Sequence, residues 1–362
     1  MQEEKFQQLA IDLAKKAIGK VSPRPAVGAV LVLNGKVIGK GKTNISPGDH
    51  AEVEAIKNAS DKTFGATLYC TLEPHNFYSK DDPCTKKIIE AGIKKVSCPV
   101  VDINPNVNSK GFEELKKAGI EIENEWNQYQ KKQCEELYEA YNFKILNKRP
   151  YISIKLAMTL DGKIATKNHE SKWITNEESR KRAHDIRGIN DSIVTGINTI
   201  LQDDPNMTSR YKKIYKGNPK YRVILDNKGK LNKNFQIYSK SNEGIVVWFT
   251  DKNVTKENLP SHIIHIPSKK DKIELRDVIN ELESLGCNSI LIEAGGTLAG
   301  SFFDEKLIDK VYAFISPSIF GGKDSPNAVE GNGINNIKDK INLKISSIEQ
   351  INEDILIIGK TN

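Results

Sequence analysis

Two short stretches carry the residue types that hold a metal ion and move a proton: "DHAEVEAI" at 49–56 and "TLEPHNFYSKDDPC" at 71–84. His50 and Glu52 stand two apart, while His75 and Cys84 each directly follow a proline. Hydrolytic removal of an amino group from a pyrimidine needs a hydroxide at neutral pH and a group that carries protons to the departing ammonia. Bound Zn²⁺ supplies the first by lowering the pKa of a coordinated water to about 7, and a nearby non-ligating carboxylate supplies the second. Such sites read H-x-E, followed downstream by a proline and a ligand pair. Here His50-Ala51-Glu52 matches the first part, and His75 and Cys84 follow at a spacing longer than C-x-x-C. Catalytic zinc keeps three protein ligands and one water. His50, His75 and Cys84 are therefore the expected ligands, and Glu52 the expected proton carrier. A lone H-x-E is usually a helix-surface pair, and a lone cysteine a small buried hydrophobe. Two ligand types placed directly after prolines move the balance toward metal.

The second half offers chemistry of another kind. "LIEAGGTLAGSF" at 291–302 ends a strand with Glu293 and opens a helix through Gly295, Gly296 and Gly300. Glycines there let backbone N–H groups approach a pyrophosphate, whose charge the helix N-terminus favours. The pattern is not G-x-G-x-x-G, and alone it is an ordinary strand-to-helix connection. Arg187 and Arg210 are permanently charged forks suited to a sugar phosphate, although any single Arg is more often a solvated surface residue. Trp173 offers a flat face to a cofactor ring or a core indole to its own fold. Asp203 and Asp204 precede Pro205, a combination that also simply ends a helix.

These side chains need elements to hold them. Apolar residues at Phe6, Leu9, Ala10, Leu13, Ala14 and Ala17 form one face of a first helix. "AVGAVLVLNGKVIGKGKT" reads as two strands joined by Asn34-Gly35, a dipeptide that accepts the positive φ of a tight hairpin. "HAEVEAIKNA" is helical, "GATLYCTLEP" a strand, "CTKKIIEAG" a helix, "KKVSCPVVD" a strand and "GFEELKKAG" a helix. A long polar helical stretch, "NEWNQYQKKQCEELYEAYNFKILN", leads to Pro150 and a fresh apolar strand, so the domain boundary is expected at about 146 to 150. Strands are then expected over 151–158, 191–196, 221–226, 244–250, 288–293 and 309–316, with helices over 176–188, 273–285 and 297–305. Both halves read as α/β with parallel strands.

Composition narrows the class. A chain of 362 residues exceeds one ordinary core, and its 38% hydrophobic and 28% charged residues suit a globular protein of two domains. The longest apolar runs, such as "AVGAVLVL" at 26–33, fall far short of the ~20 residues that cross a bilayer. The first residues lack the basic, apolar and small-residue segments of a secretory signal, and a cytoplasmic protein is expected. Five cysteines scattered over both halves do not suggest a disulfide framework. The net charge of +7 comes from dispersed lysines, which fits an anionic small molecule better than nucleic acid.

"SPRPAVGAV" at 22–30, "HAEVEAI" and "TLEP" through "PC" together resemble the deaminase half of bifunctional riboflavin biosynthesis proteins. "KLAMTLDGKIA" at 155–165, "SKWIT" at 171–175, "TGINTILQDDPNMTSR" at 195–210, "RVILDNKGKL" at 222–231 and the glycine turn resemble the reductase half. The resemblance covers almost the whole chain. It implies a cytidine-deaminase-like three-layer α/β/α domain over 1–146, then a dihydrofolate-reductase-like α/β domain over 150–362. It also implies Zn²⁺ and NADPH as cofactors, a phosphorylated pyrimidine substrate and a homodimer through the reductase domain. On this resemblance Ala157, Trp173, Thr199, Asp203, Asn227, Gly295, Gly296, Thr297, Leu298, Ala299, Gly300 and Ser301 line the NADPH site. Lys80, Ser171, Arg187, Met207, Arg210 and Glu293 contact substrate. The family usually has cysteine at His75, and Asn, His and His where this chain has Arg24, Thr43 and Phe77. A reductase with a degenerate first domain, and an RNA-binding or RNA-deaminating first domain, are the competing readings.

Overall fold

The computed structural model describes residues 2–78, 82–210, 219–240 and 243–361. The chain forms two compact units, one ending at Arg149 and the other beginning at Pro150.

In the first unit, α1 (Gln2–Lys15) precedes a hairpin of β1 (Gly28–Leu33) and β2 (Lys36–Lys42). Asn34 and Gly35 turn it with φ of 50° and 72°, as the dipeptide predicts. Then come α2 (Ala51–Ala59), β3 (Thr67–Cys70), α3 (Cys84–Glu90), β4 (Lys95–Ser97), α4 (Lys110–Lys117) and β5 (Glu121–Glu123). The five strands lie in the order β2-β1-β3-β4-β5. β1 runs antiparallel to β2 and β3, whereas β3, β4 and β5 are parallel.

Two helices approach this sheet from opposite faces. A Cβ on Gly28 would lie 2.0 Å from the carbonyl oxygen of Ala10 in α1, and one on Gly41 would lie 2.0 Å from that of Ala51 in α2. Gly41 pairs with Ala29, the neighbour of Gly28, so the two glycines point to opposite sides. α2 can therefore seat its Ala51, Ala55 and Ala59 row against the sheet, which brings its N-terminal end, with His50 and Glu52, into the interior. The long helical stretch expected after residue 124 is two helices, α5 (Gln128–Leu137) and α6 (Glu139–Asn147). They part at Tyr138, which is fully buried, has φ −103° and ψ 5°, and shares a hydrogen bond with Thr71.

The second unit contains β6 (Tyr151–Thr159), α7 (Glu177–Gly188), β7 (Ser192–Gly196), α8 (Ile197–Asp203), β8 (Tyr221–Leu225) and α9 (Gln236–Ser239). It continues through β9 (Ile245–Thr250), β10 (Ile263–Pro267), α10 (Leu275–Ser284), β11 (Ser289–Ile292), α11 (Gly296–Asp304) and β12 (Lys310–Ser316). β13 (Leu343–Ile351) and β14 (Asp354–Thr361) follow as a hairpin. The nine strands lie in the order β10-β9-β8-β7-β11-β6-β12-β14-β13. All strands from β10 to β12 are parallel, and β14 and β13 add antiparallel pairs.

Alternate strand residues feed two cores. Val223, Ile290 and Ile292 join Leu282 of α10 and Phe302 of α11, while Ile224, Leu291 and Trp248 join Ile186 of α7, Ile200 of α8 and Ile237 of α9. Both faces are covered, as near-continuous apolar parallel strands require. Neither β10 nor the closing hairpin is among the strands the sequence pattern predicts. Among the described residues, no helix is long and apolar enough to cross a membrane.

Candidate functional site

In the first unit the sequence-distant donors converge. The ligand atoms of His50, His75 and Cys84 all lie within 4.8 Å of one another. Tetrahedral zinc with bonds of about 2.0–2.3 Å sets its donors roughly 3.3–3.8 Å apart, so shifts below about 1 Å let all three share one ion. The donor set of two imidazoles and one thiolate suits zinc. His50 sits at the N-cap of α2 and Cys84 is the first residue of α3, so each donor stands at a helix start. The Thr85 N–H donates to the His75 carbonyl at 3.2 Å and ties the third donor to α3. The rings of His50 and His75 lie 4.4 Å apart between centroids, and Phe77 packs edge-on against His75 at 5.4 Å.

Glu52 faces the same cavity, of about 270 Å³. Its side chain is only 4% exposed, and burial pushes its carboxyl up to about 7, against the smaller opposing pull of its own backbone N–H and the Cys84 side chain. A carboxyl poised there accepts and returns a proton near neutral pH. Arg24, Thr43 and Phe77 line the cavity as well. Arg24 Nη1 donates to the Gly48 carbonyl at 2.6 Å, bracing the turn that precedes His50. Thr43 is occupied, accepting from Val27 N–H and donating to the Pro25 carbonyl. Glu73 is buried but takes three backbone N–H groups, from Asp102, Ser109 and Phe112, and serves to pin that loop. Lys80 lies outside the described residues.

The second unit has a cleft of about 980 Å³ near the C-terminal ends of parallel strands, the usual ligand position of open α/β sheets. Ala157, Ser171, Trp173, Arg187, Thr199, Asp203, Met207, Arg210, Glu293, Gly295, Gly296 and Thr297 line it. Leu298, Ala299, Gly300 and Ser301 continue into α11 and are not part of that lining, nor is Asn227, whose Oδ1 accepts from Ile273 N–H at 2.9 Å. The glycines divide in their purpose. A Cβ on Gly295 would meet nothing, leaving its backbone open to a ligand, whereas one on Gly296 or Gly300 would strike the carbonyl oxygen of Asn327 or Glu330 at 2.2 Å. Gly296 and Gly300 thus serve the packing of α11 against residues 327–331.

The charged centre of the cleft is Glu293. Arg187 grips it through two bonds, Nε to Oε1 at 2.6 Å and Nη2 to Oε2 at 2.7 Å. Lys155 adds a contact at 3.3 Å. β6 pairs with β11 so that Ile154 faces Ile292, and one residue further along this register brings Lys155 beside Glu293. Burial alone would raise the Glu293 carboxyl, but Arg187 and Lys155 hold it far below the usual carboxylate range. Above them His184 is buried, and desolvation, with the charges of Arg187 and Arg210, pushes its imidazole down to about 4. Arg180, His184 and Arg187, spaced four and three apart on α7, all reach the cleft.

Lys155 and His184 are site residues that the sequence reading did not single out. One signal was present for Lys155: a lone charge inside the apolar run "YISIKLAM" is rarely buried without a partner. His184 carried no comparable signal, because a histidine on a polar helix is ordinarily solvated.

Comparison with known proteins agrees with both halves. The family model for the cytidine and deoxycytidylate deaminase zinc-binding region matches residues 1–100, and that for the RibD C-terminal domain matches residues 150–357. The riboflavin biosynthesis protein RibD of Aquifex aeolicus is 34% identical over 358 residues, covering 99% of this chain and 98% of that protein. Its counterpart from Synechocystis is 35% identical, covering 96% of this chain and 94% of that protein. Among solved structures, a diaminohydroxyphosphoribosylaminopyrimidine deaminase/5-amino-6-(5-phosphoribosylamino)uracil reductase from Thermotoga maritima matches with a TM-score of 0.84 at 33% identity. That match covers 100% of this chain and 99% of that one. With a zinc-binding deaminase region, a reductase region and full-length relatives of this kind, the chain belongs to the RibD family of bifunctional deaminase–reductases.

Proposed function

We propose that the chain deaminates diaminohydroxyphosphoribosylaminopyrimidine in its first unit and reduces the ribosyl group of the deaminated product to ribityl in its second. The observation that carries this reading is the convergence of His50, His75 and Cys84 on one point beside buried Glu52. Zinc held by these three residues supplies Lewis-acid activation of water. The Glu52 carboxylate takes a proton from the attacking water and delivers it to the exocyclic nitrogen of the pyrimidine, which leaves as ammonia. The small pocket orients the ring.

NADPH bound in the cleft of the second unit supplies hydride. The chain's own residues position the reactants. Gly295, Gly296 and Thr297 sit at the N-terminal end of α11, where phosphate groups are favoured. Arg210 holds the sugar phosphate. Arg187 is committed to Glu293 through two of its nitrogens, and so fixes an ionised carboxylate that accepts hydrogen bonds from the sugar hydroxyls. Lys155 balances the charge beside it. Ala157, Ser171, Trp173, Thr199, Asp203 and Met207 complete the walls.

The substrate is a small phosphorylated molecule and not nucleic acid; RNA binding at low salt that weakens steeply as salt rises would count against this. The reductase unit pairs with a second copy through β13. This edge strand has no neighbour on its outer side among the described residues, and Ile345, Ile348 and Ile355 stand 49%, 66% and 42% exposed on the hairpin. Light scattering of an Ile348→Lys variant is expected to show monomer where the wild type shows dimer.

The central test follows two signals separately, ammonia release and NADPH oxidation, from the proposed substrate with and without NADPH. Ammonia is expected in both cases and NADPH oxidation only after it. NADPH consumption with no ammonia at all would overturn the deaminase assignment.

A further inference from the structure

Trp173 is one of three tryptophans, and the only one that stands open: it is 67% exposed, against 6% for Trp126 and 1% for Trp248. It lines the large cleft, where so much exposed indole is unusual for a residue that could pack inward. One face is already covered. The Arg180 guanidinium lies 4.4 Å from the ring centroid, in stacking position. Its Nη1 also donates to the Thr175 carbonyl at 2.6 Å, so the same group is tied to the backbone two residues beyond the indole.

The segment carrying Trp173 is fastened on both sides of this contact. Lys172 Nζ lies 3.4 Å from Asp203 Oδ1. Beyond it, the Asn176 N–H donates to Asp354 Oδ2 at 2.8 Å, and its side-chain amide to the Ile351 carbonyl at 2.7 Å. Arg180 sits on the cleft-facing row of α7, in the first turns of a helix whose Asn176 cap accepts from Ser179 N–H. A rigid helix therefore presents a planar cation to one side of an indole whose other side faces open space. Such an arrangement spends little conformational entropy when a second ring arrives, because the platform is already fixed.

We propose that Arg180 is a positioning residue of the reductase, holding the Trp173 indole by one face so that the opposite face stacks on a flat ring of the nicotinamide dinucleotide. The inference rests on the placement of that cofactor in this cleft. It also assigns a reason for arginine in particular. Lysine would keep the charge but has neither the plane that stacks on the indole nor the fork that reaches the Thr175 carbonyl at the same time.

The test uses the full chain carrying Arg180→Ala, Arg180→Lys, Arg180→Met or Trp173→Ala. The Met variant retains an aliphatic stem against α7 and guards against a fold defect in the Ala variant. Michaelis constants for NADPH and for the deaminated pyrimidine are measured separately. Acrylamide quenching reports on Trp173, since the other two indoles are buried. The expected result is a KM for NADPH raised about tenfold in Arg180→Ala and Arg180→Met and about fivefold in Arg180→Lys, the range of a partly desolvated cation–π contact. The KM for the pyrimidine and the rate of ammonia release stay within about twofold, and acrylamide quenching of the exposed indole increases once the guanidinium no longer covers one face. If Trp173→Ala raises the KM for NADPH while the three Arg180 variants leave it unchanged, the proposal is overturned and the cofactor placement stands. If Trp173→Ala also leaves it unchanged, the cofactor placement itself is overturned, and the proposal with it.

Discussion

Glu52 in the first unit's cavity and Glu293 in the second unit's cleft are both enclosed, and the two are driven in opposite directions. Glu52 stands in a pocket where desolvation dominates, and its carboxyl rises to about 7. Glu293 is nearly as enclosed, yet Arg187 and Lys155 keep it ionised well below the ordinary range. Burial alone therefore does not decide how a carboxyl titrates: one with no cationic side chain against it is pushed up toward neutrality, and one gripped by Arg and Lys stays a fixed charge. In the proposed function this contrast divides the work, hydrolysis using the group that changes protonation and hydride transfer the one that does not.

The contrast is most exposed to a pair of matched substitutions. Glu52→Gln should lower the rate of ammonia release by about a thousandfold, the middle of the range of general acid–base catalysis, while NADPH oxidation with already deaminated substrate is unchanged. Glu293→Gln should do the reverse for activity, leaving ammonia release intact. Steady-state assays of both signals on both variants decide the matter; a common loss in either variant would dissolve the division of labour. At the metal centre, His75→Ala should strip zinc from the purified protein, whereas His75→Cys should retain it, because a thiolate is as good a donor. Metal analysis reads this without reference to turnover.

A smaller effect concerns stability. Removing one partner of a largely buried ion pair leaves the other charge uncompensated, at about 2 kcal/mol once partial solvent access is allowed for. Glu293→Gln should accordingly lower the melting temperature of the reductase unit, and Glu293→Leu combined with Arg187→Met should recover most of the loss.

His184 gives the pH counterpart. An unfolded imidazole takes up a proton below about 6.5, while the folded one resists until about 4. Between those values the unfolded state binds more protons, so stability is full above the upper value and declines as pH falls toward the lower. The decline should be on the order of 2 kcal/mol, allowing for partial solvent screening, and His184→Gln should remove it in denaturant titrations across that range. The smallest effect is expected at the exposed pair of Lys57 and Asp49, 2.7 Å apart beside His50. Lys57→Ala should change stability by less than about 0.5 kcal/mol and leave zinc content as it was.

What the sequence discloses follows how local its causes are. The Asn34-Gly35 hairpin, the start of α2 at His50 and the start of α3 at Cys84 are set by turn and helix-entry chemistry within a few residues, and all three appear where the residue pattern puts them. The first-unit donors could be chosen from residue type and proline placement, though only tertiary packing shows that they meet. Contacts that depend on strand register were hidden: nothing near Lys155 in the chain announces Glu293, because their meeting depends on β6 lying beside β11. The glycines of α11 were legible as special but not in their purpose, which for Gly296 and Gly300 is to admit residues 327–331. β13 escaped notice because its residues are mostly exposed and its alternation of apolar and polar side chains is weak. Tyr138 interrupts a pattern that remains helical on both sides, and periodicity carries no mark of it.

The order of strands at the far edge of the large sheet has a bearing on how the protein is made. β12 takes its antiparallel neighbour from residues 354–361, the last stretch of the described chain. A ribosome delivers residues from the N-terminus onward, so the row of amides and carbonyls along β12 waits for its match until residues 354–361 have been made. Throughout that interval the nascent reductase presents an open β edge with apolar residues on either side, the condition under which chains stick to one another. The sealing of β12 is therefore among the last strand pairings the described residues can make, and removal of residues 354–361 would leave β12 as an open edge.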